Sequence, residues 1–410
     1  MKVILDGHMV GTKEGGNARY VQNLYKALFD RRDIDVVLYT GDKNEGNLYR
    51  LCVGLPNMAR KIHADIIHST YISPFLKTTK TVITVHDFSF YRYPKFFTLR
   101  EQIIFSTLLP WSINNADAII VPTEFVKEES LEFSPKMANK TGVIHDASDP
   151  VFTTISKKKY SQYLIEKFYL KKKYYLCLSS VNPKKNIEAI IQGVRLLREH
   201  YSDFELVIAG VLPHGFDKSS VPPWVRILGF VSDHDLAMLY NGCEVFIYLP
   251  LYEGFGLPVL EALQSGAKVI GSRIPPICEV GGNAVTMVDP NSIGELVQVL
   301  KKLTTSSQTP KQQMLRRAVV KKYSWQKTAD ETVKIYKKIL HNFCFHTFGN
   351  SSLLTSTDGK YSNFCGPFFL AHSIVFCTPS NKGTVVLYPS IIFAFSTEHH
   401  AFLISSGRSG

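Results

Sequence analysis

The stretch Leu251-Tyr-Glu-Gly-Phe-Gly-Leu-Pro-Val-Leu-Glu-Ala-Leu263 decides how the rest of this chain is read. Residues 245–249 before it are apolar and β-branched or aromatic, the pattern of a buried strand. Gly254 and Gly256 make a flexible loop, Pro258 suits the first position of a helix, and Gly266 suits its end. Residues 267–271 then read as the next strand. A helix opening at Pro258 puts Leu257, which has no side-chain oxygen, at the cap. The Val259 and Leu260 N–H groups are then expected to be unpaired at the positive end of a helix dipole, a place to hold a phosphate. Glu253 precedes the loop, and Glu261 falls in the first turn among Val259, Leu260, Ala262 and Leu263. A carboxylate in such apolar company needs a hydroxyl, an N–H or a cation. Taken singly, Glu261 also reads as a dipole-stabilised helix acid and Glu253 as a solvated loop residue. Taken together with the glycines they read as a site.

Working outward, strands and helices alternate in the doubly wound manner. Residues 2–6 read as a first parallel strand, followed by a loop containing Gly7, Gly11, Gly15 and Gly16. From Asn17, a candidate cap, the positions Ala18, Val21, Leu24, Tyr25 and Leu28 have helical spacing. The pair Gly15-Gly16 allows close backbone approach to a ligand, or simply a turn. No G-x-G-x-x-G and no P-loop occurs here. Strands are expected at 35–39, 65–69, 81–86, 118–121 and 141–144. The run 81–86 ends in His86-Asp87, and open α/β sheets build their sites at such carboxyl ends. The aromatics Tyr91, Tyr93, Phe96 and Phe97 line a groove or pack on the next helix. A second series of strands follows at 174–179, 205–210, 225–230 and 244–249. After the first of these comes Val181-Asn-Pro-Lys-Lys-Asn186, which is either an exposed basic turn or two lysines that neutralise a diphosphate.

A length of 410 residues fits two domains and an extra piece. Apolar content of 45% with 20% charged residues describes a soluble globular protein, and no apolar run has membrane-spanning length. Seven cysteines without C-x-x-C pairing or zinc spacing point to a reducing compartment and no metal. The formal charge of +12 is concentrated in lysine clusters such as 157–159 and 171–173. These are either solvated surface or attractors of polyanions, anionic lipid among them.

YEGFGLPVLEA resembles the donor-site signature of the family-4 retaining glycosyltransferases, which have the GT-B fold of two facing Rossmann-like domains with parallel sheets. GGNARYVQNL is similar to that family's acceptor-side glycine loop and TVHDFSFYRYP to its HD segment. NPKKN is similar to its PRKN motif, HDASDPVF to its NGVDPVF, with Ala147 in place of glycine, and Glu279-Val-Gly-Gly to its EV-GG segment. The resemblance covers roughly residues 1–340. It implies an acceptor domain at 1–155 and a donor domain at 156–340 ending in a crossover helix. It further implies that Glu261 holds the nucleotide ribose, that Glu253 contacts sugar hydroxyls, and that the backbone of Gly254, Phe255, Gly256 and Leu257 binds the diphosphate. Lys185, with Lys184, contacts the phosphates; Phe230 and Val231 lie at the base; His86 approaches the sugar; and Gly15, Gly16 and Asp87 belong to the acceptor side. His86, Glu253 and Lys185 are then the catalytic candidates. The implied activity is metal-independent transfer, without a cofactor, of a sugar from a nucleotide-sugar, GDP-mannose by motif. The acceptor is a glycan or lipid-linked acceptor of surface polysaccharide synthesis. A cytoplasmic location follows, with peripheral contact to an anionic inner membrane face and no nucleic acid as partner. Two alternatives share the architecture: a nucleotide-sugar epimerase, and a sugar-nucleotide-binding protein without transfer activity.

Residues 341–410 differ in kind, being rich in Phe, Ser, Thr and His and poor in charge. They read either as an appended segment or as sequence that does not fold with the rest, as an altered reading frame near Leu340 gives. Deleting 341–410 is expected to leave activity intact; loss of donor binding on truncation contradicts this.

Overall fold

The computed structural model describes residues 1–11, 15–41, 46–213, 215–217, 219 and 221–348, and the short pair 394–395 and 401–402. Among the described residues of 1–348 the apolar runs form twelve strands in two six-stranded sheets, with every pairing parallel. The first sheet holds β1 (Lys2–Asp6), β2 (Asp35–Tyr39), β3 (Ile66–Thr70), β4 (Lys80–Thr84), β5 (Ala118–Val121) and β6 (Thr141–Val143), in the order β2-β1-β3-β4-β5-β6. The second holds β7 (Lys173–Ser179), β8 (Phe204–Gly210), β9 (Val225–Gly229), β10 (Val245–Tyr248), β11 (Val269–Ser272) and β12 (Thr286–Val288), in the order β12-β11-β10-β7-β8-β9. Parallel strands covered by helices on both faces must be apolar throughout. Val245, Phe246 and Ile247 of β10 are accordingly fully buried, as are Val3 and Ile4 of β1.

Strand order fixes where a site can form. In the second sheet the chain runs β7 to β8 to β9, then returns to lay β10 on the other side of β7. The crevice beyond the carboxyl ends of β7 and β10 is therefore a topological switch point, where ligands bind in open α/β sheets. The Lys184-Lys185 turn leaves β7 there, and the Glu253 loop leaves β10.

The helix Trp325–Phe348 runs back to the first sheet. Its Trp325, Ala329, Val333 and Tyr336 join Val3, Leu24, Ile66 and Val82 in one buried cluster. The Tyr336 hydroxyl meets His68 Nδ1 at 2.6 Å, and His68 Nε2 meets Thr84 Oγ1 at 2.7 Å. Burial pushes the His68 imidazole down to about 3, so it is neutral, donating its one N–H to one of these hydroxyls and accepting from the other. The helix continues past Leu340, where the sequence pattern ends, and the rest of the tail lies outside the described residues apart from one antiparallel pair, Ala394–Phe395 with Ala401–Phe402. No helix among the described residues is long and apolar enough to cross a membrane.

Candidate functional site

A cleft of about 470 Å³ lies where the carboxyl ends of the two sheets meet. The helix after the Glu253 loop spans Leu257–Ser265, with Gly256 as its cap at φ 96°. That left-handed backbone is open to glycine and strained for other residues. The helix thus starts one residue earlier than Pro258 suggests, and Leu257 is its first residue. Val259 is not an open donor, because its N–H reaches the Gly256 carbonyl at 2.9 Å. The amides of Gly256 and Leu257, which line the cleft, have no acceptor among the described residues. The open donors of this helix start therefore sit at the loop itself.

Glu261 lies beyond the first turn rather than within it, and is 1% exposed. Its Oε1 accepts from Arg19 Nη1 at 2.7 Å and its Oε2 from the Tyr240 hydroxyl at 3.2 Å. Burial pushes this carboxyl above its ordinary range while the Arg19 guanidinium pulls it back. Arg19 comes from the helix Gly15–Phe29 of the other sheet, pairs also with Asp233, and lies over the Phe152 ring. The sequence offered Arg19 only as a letter within GGNARYVQNL; nothing local says that it crosses 242 positions to a buried acid. The same helix starts at Gly15, so Asn17 is inside its first turn and is not the cap. Gly16 and Asn17 line the cleft.

Lys185 and Glu253 are brought together. The Lys185 ammonium pairs with Glu253 and donates to the Tyr248 hydroxyl at 2.6 Å, and that hydroxyl donates to Glu253 Oε1 at 2.6 Å. Burial raises the Glu253 carboxyl, but the two neighbouring lysines outweigh it and hold the group below the usual carboxylate range. Burial pulls the Lys185 ammonium down, against the opposing pull of Glu253. Burying such a pair costs desolvation, offset by the mutual attraction of the two charges and the shared Tyr248 hydroxyl. Lys184 instead reaches across the cleft to Asp87 at 3.3 Å, and Asp87 Oδ1 accepts from Ser89 Oγ at 2.7 Å. Phe230, 67% exposed, and Val231 sit at the rim.

His86 follows β4, with its side chain 12% exposed. Its Nδ1 is 3.9 Å from Asp146 Oδ2, Tyr20 packs edge-on against it at 4.6 Å, and its Nε2 has no hydrogen-bond partner. Burial pushes its imidazole down to about 4, so it is neutral near pH 7. Asp146, absent from the sequence-derived candidates, stands beside it on the same wall.

The two sheets are clasped around this cleft by specific contacts. Thr123, the cap of the helix Glu124–Phe133, donates its hydroxyl to the Gly254 carbonyl at 2.8 Å. Tyr252 donates to the buried Glu129 and accepts from the Phe88 N–H at 2.9 Å. Glu279 takes the Glu124 N–H at 3.2 Å and meets His145 Nε2 at 3.0 Å. Of the aromatics after His86, Tyr93 stacks on Phe96 with centroids 5.5 Å apart and also lines a second cavity of about 410 Å³ with Leu251 and Arg273, while Tyr91 lies edge-on to Phe133. Among the described residues, no three His, Cys, Asp or Glu side chains converge as metal ligands.

The chain matches the family model described as Glycosyltransferase Family 4 over residues 14–150 and the model described as Glycosyl transferases group 1 over residues 163–322. It is similar to O-antigen chain mannosyltransferase B of Escherichia coli, at 28% identity over 268 residues that take in 63% of this chain and 70% of the relative. It is also similar to the serotype-specific mannosyltransferase WbdA of Escherichia coli, at 28% identity over 243 residues, 55% of this chain but only 29% of that protein. In fold it matches the sucrose-phosphate synthase of Thermosynechococcus elongatus with a TM-score of 0.65 at 17% identity, over 83% of this chain and 99% of that one. With one model on each sheet and two facing parallel α/β halves, the chain belongs to the family-4, group 1 glycosyltransferases and has the GT-B fold.

Proposed function

We propose that this glycosyltransferase moves mannose from GDP-mannose, with retention of configuration, to a glycan or lipid-linked acceptor in surface polysaccharide synthesis. The observation that carries the reading is the grouping at the switch point of the second sheet. There the open Gly256 and Leu257 amides and the Lys185–Glu253 pair line one cleft with His86, and the buried Glu261 lies behind that wall, paired with the cleft-lining Arg19. The amides and lysines match a diphosphate, and the carboxylates match ribose and sugar hydroxyls. The similarity to O-antigen mannosyltransferases supports mannose as the transferred sugar.

On this reading residues 1–155 bind the acceptor and 156–340 the donor. The acceptor hydroxyl oxygen bonds to the anomeric carbon as the sugar–phosphate bond breaks, the electron pair leaves with the diphosphate, and the departing diphosphate oxygen takes up the hydroxyl proton. Lys185, Lys184 and the loop amides stabilise that developing charge, and His86 contacts the sugar. Glu253 orients sugar hydroxyls, and Phe230 and Val231 flank the base at the rim. Gly15, Gly16 and Asp87 face the acceptor. The exposed lysines at 157–159 and 171–173 suit peripheral contact with an anionic membrane at its cytoplasmic face.

Calorimetric titration with GDP, UDP and ADP tests the reading. GDP is expected to bind in the micromolar range and more tightly than the others. A chain that binds none of the three contradicts it.

A further inference from the structure

One buried carboxylate on the cleft wall is left unsatisfied by the contacts described so far. Asp146 lies on the loop after β6, and its side chain is 4% exposed. Its Oδ2 is 3.9 Å from His86 Nδ1, too far for a hydrogen bond, and its Oδ1 has no partner among the described residues. His86 Nε2, on the same wall, is likewise without one. A buried carboxylate that lacks donors is costly, and native proteins keep such groups where a ligand completes them. A neutral histidine beside it offers either an N–H or a lone pair. The two together match a sugar hydroxyl, which donates one hydrogen bond and accepts others.

Building on the sugar-nucleotide reading above, we propose that Asp146 is a substrate-binding residue whose buried, unpartnered Oδ1 accepts a hydrogen bond from a sugar hydroxyl held against His86. Two sugars meet in such a cleft, that of the donor and that of the acceptor, and either supplies the same chemistry. The groups that face Asp146 are His86 from the end of β4, Tyr20 from the helix Gly15–Phe29, and His145 on its own loop. Asp87, next to His86, is engaged by Lys184.

Burial raises the Asp146 carboxyl to about 7, with His145 pulling slightly the other way. The folded pKa therefore lies above the unfolded value of 3.8. The unfolded chain gives up its proton first, so the group favours folding below pH 3.8 and loses that contribution as pH rises through about 7. Asp146→Asn, an isostere that does not titrate, should consequently gain in Tm over wild type on going from about pH 5 to about pH 8. That gain also verifies that the variant is folded.

The decisive experiment is calorimetry of GDP and of GDP-mannose at about pH 6 and about pH 8, on wild type and Asp146→Asn, together with KM for methyl α-mannoside as acceptor. GDP affinity should be the same in both proteins. If the hydroxyl is the donor's, GDP-mannose binds about tenfold more tightly to wild type at the higher pH, and the variant loses this dependence. If it is the acceptor's, GDP-mannose affinity is unchanged and KM for the mannoside rises about tenfold in the variant. Intact GDP binding with neither constant altered overturns this inference alone. Absence of GDP binding by wild type overturns the donor-site reading and this inference with it.

Discussion

Glu261→Ala is expected to weaken nucleoside diphosphate binding about a hundredfold while leaving the chain folded. The proposed role gives Glu261 the ribose hydroxyls, and a hydrogen bond to a charged group contributes about 1.5–3 kcal/mol, so two such bonds lost, at the lower end of that range, amount to roughly two decades in affinity. The carboxylate is already buried and oriented by Tyr240, so the free protein has met the cost of holding it in place. Arg19 keeps Asp233 as a partner in the variant, which limits the damage to the fold. Glu261→Gln, which keeps the shape and loses the charge, should fall about tenfold. Calorimetry with GDP reads both variants, and an affinity unchanged in Glu261→Ala contradicts the assignment.

A larger effect on turnover is expected from Gly254→Ala. A Cβ at this position falls 1.9 Å from the His86 carbonyl oxygen and 2.9 Å from its carbon. Both groups are backbone, so no flexible side chain can move aside, and the sheets must part to make room. Parting them removes the Thr123 to Gly254 hydrogen bond and draws His86 away from Glu253. Misplacing reacting groups by about an ångström costs about a hundredfold in rate. The expected result is therefore a kcat about a hundredfold lower with GDP affinity changed only a few-fold, and a larger radius of gyration by X-ray scattering. Wild-type kcat in this variant shows that the contact is not part of the working closed state.

The sheets were legible because parallel strands must be continuously apolar. Residues 118–121, for example, read as a strand and form one with those bounds. The switch-point loops were legible for the same reason, since Lys184-Lys185 and Glu253 directly follow such runs. The helix start was misplaced by a residue because proline is tolerated at either of the first two positions. Gly256, the true cap, has a positive φ, and the Ile277 side chain is packed where a Cβ would sit, a tertiary contact that the local sequence does not announce. Arg19, Asp146 and Glu129 were not legible. Each acquires its meaning from a partner far away in the chain, and a lone arginine or glutamate on a helix reads as solvated surface. The Lys185–Glu253 pairing was also hidden, although both residues were singled out, because it follows from adjacent placement of β7 and β10 and not from spacing.

The central claim is that this cleft transfers a sugar from a nucleotide-diphospho-sugar. The most direct test incubates the full chain with GDP-mannose, other GDP-sugars and UDP-sugars, each with methyl α-mannoside. Products are followed by mass spectrometry, and the anomeric configuration of any disaccharide is read by NMR. The account predicts release of GDP from GDP-mannose and a mannosylated product with retained configuration. No turnover of any sugar nucleotide, or formation of a free epimerised sugar without transfer, contradicts it.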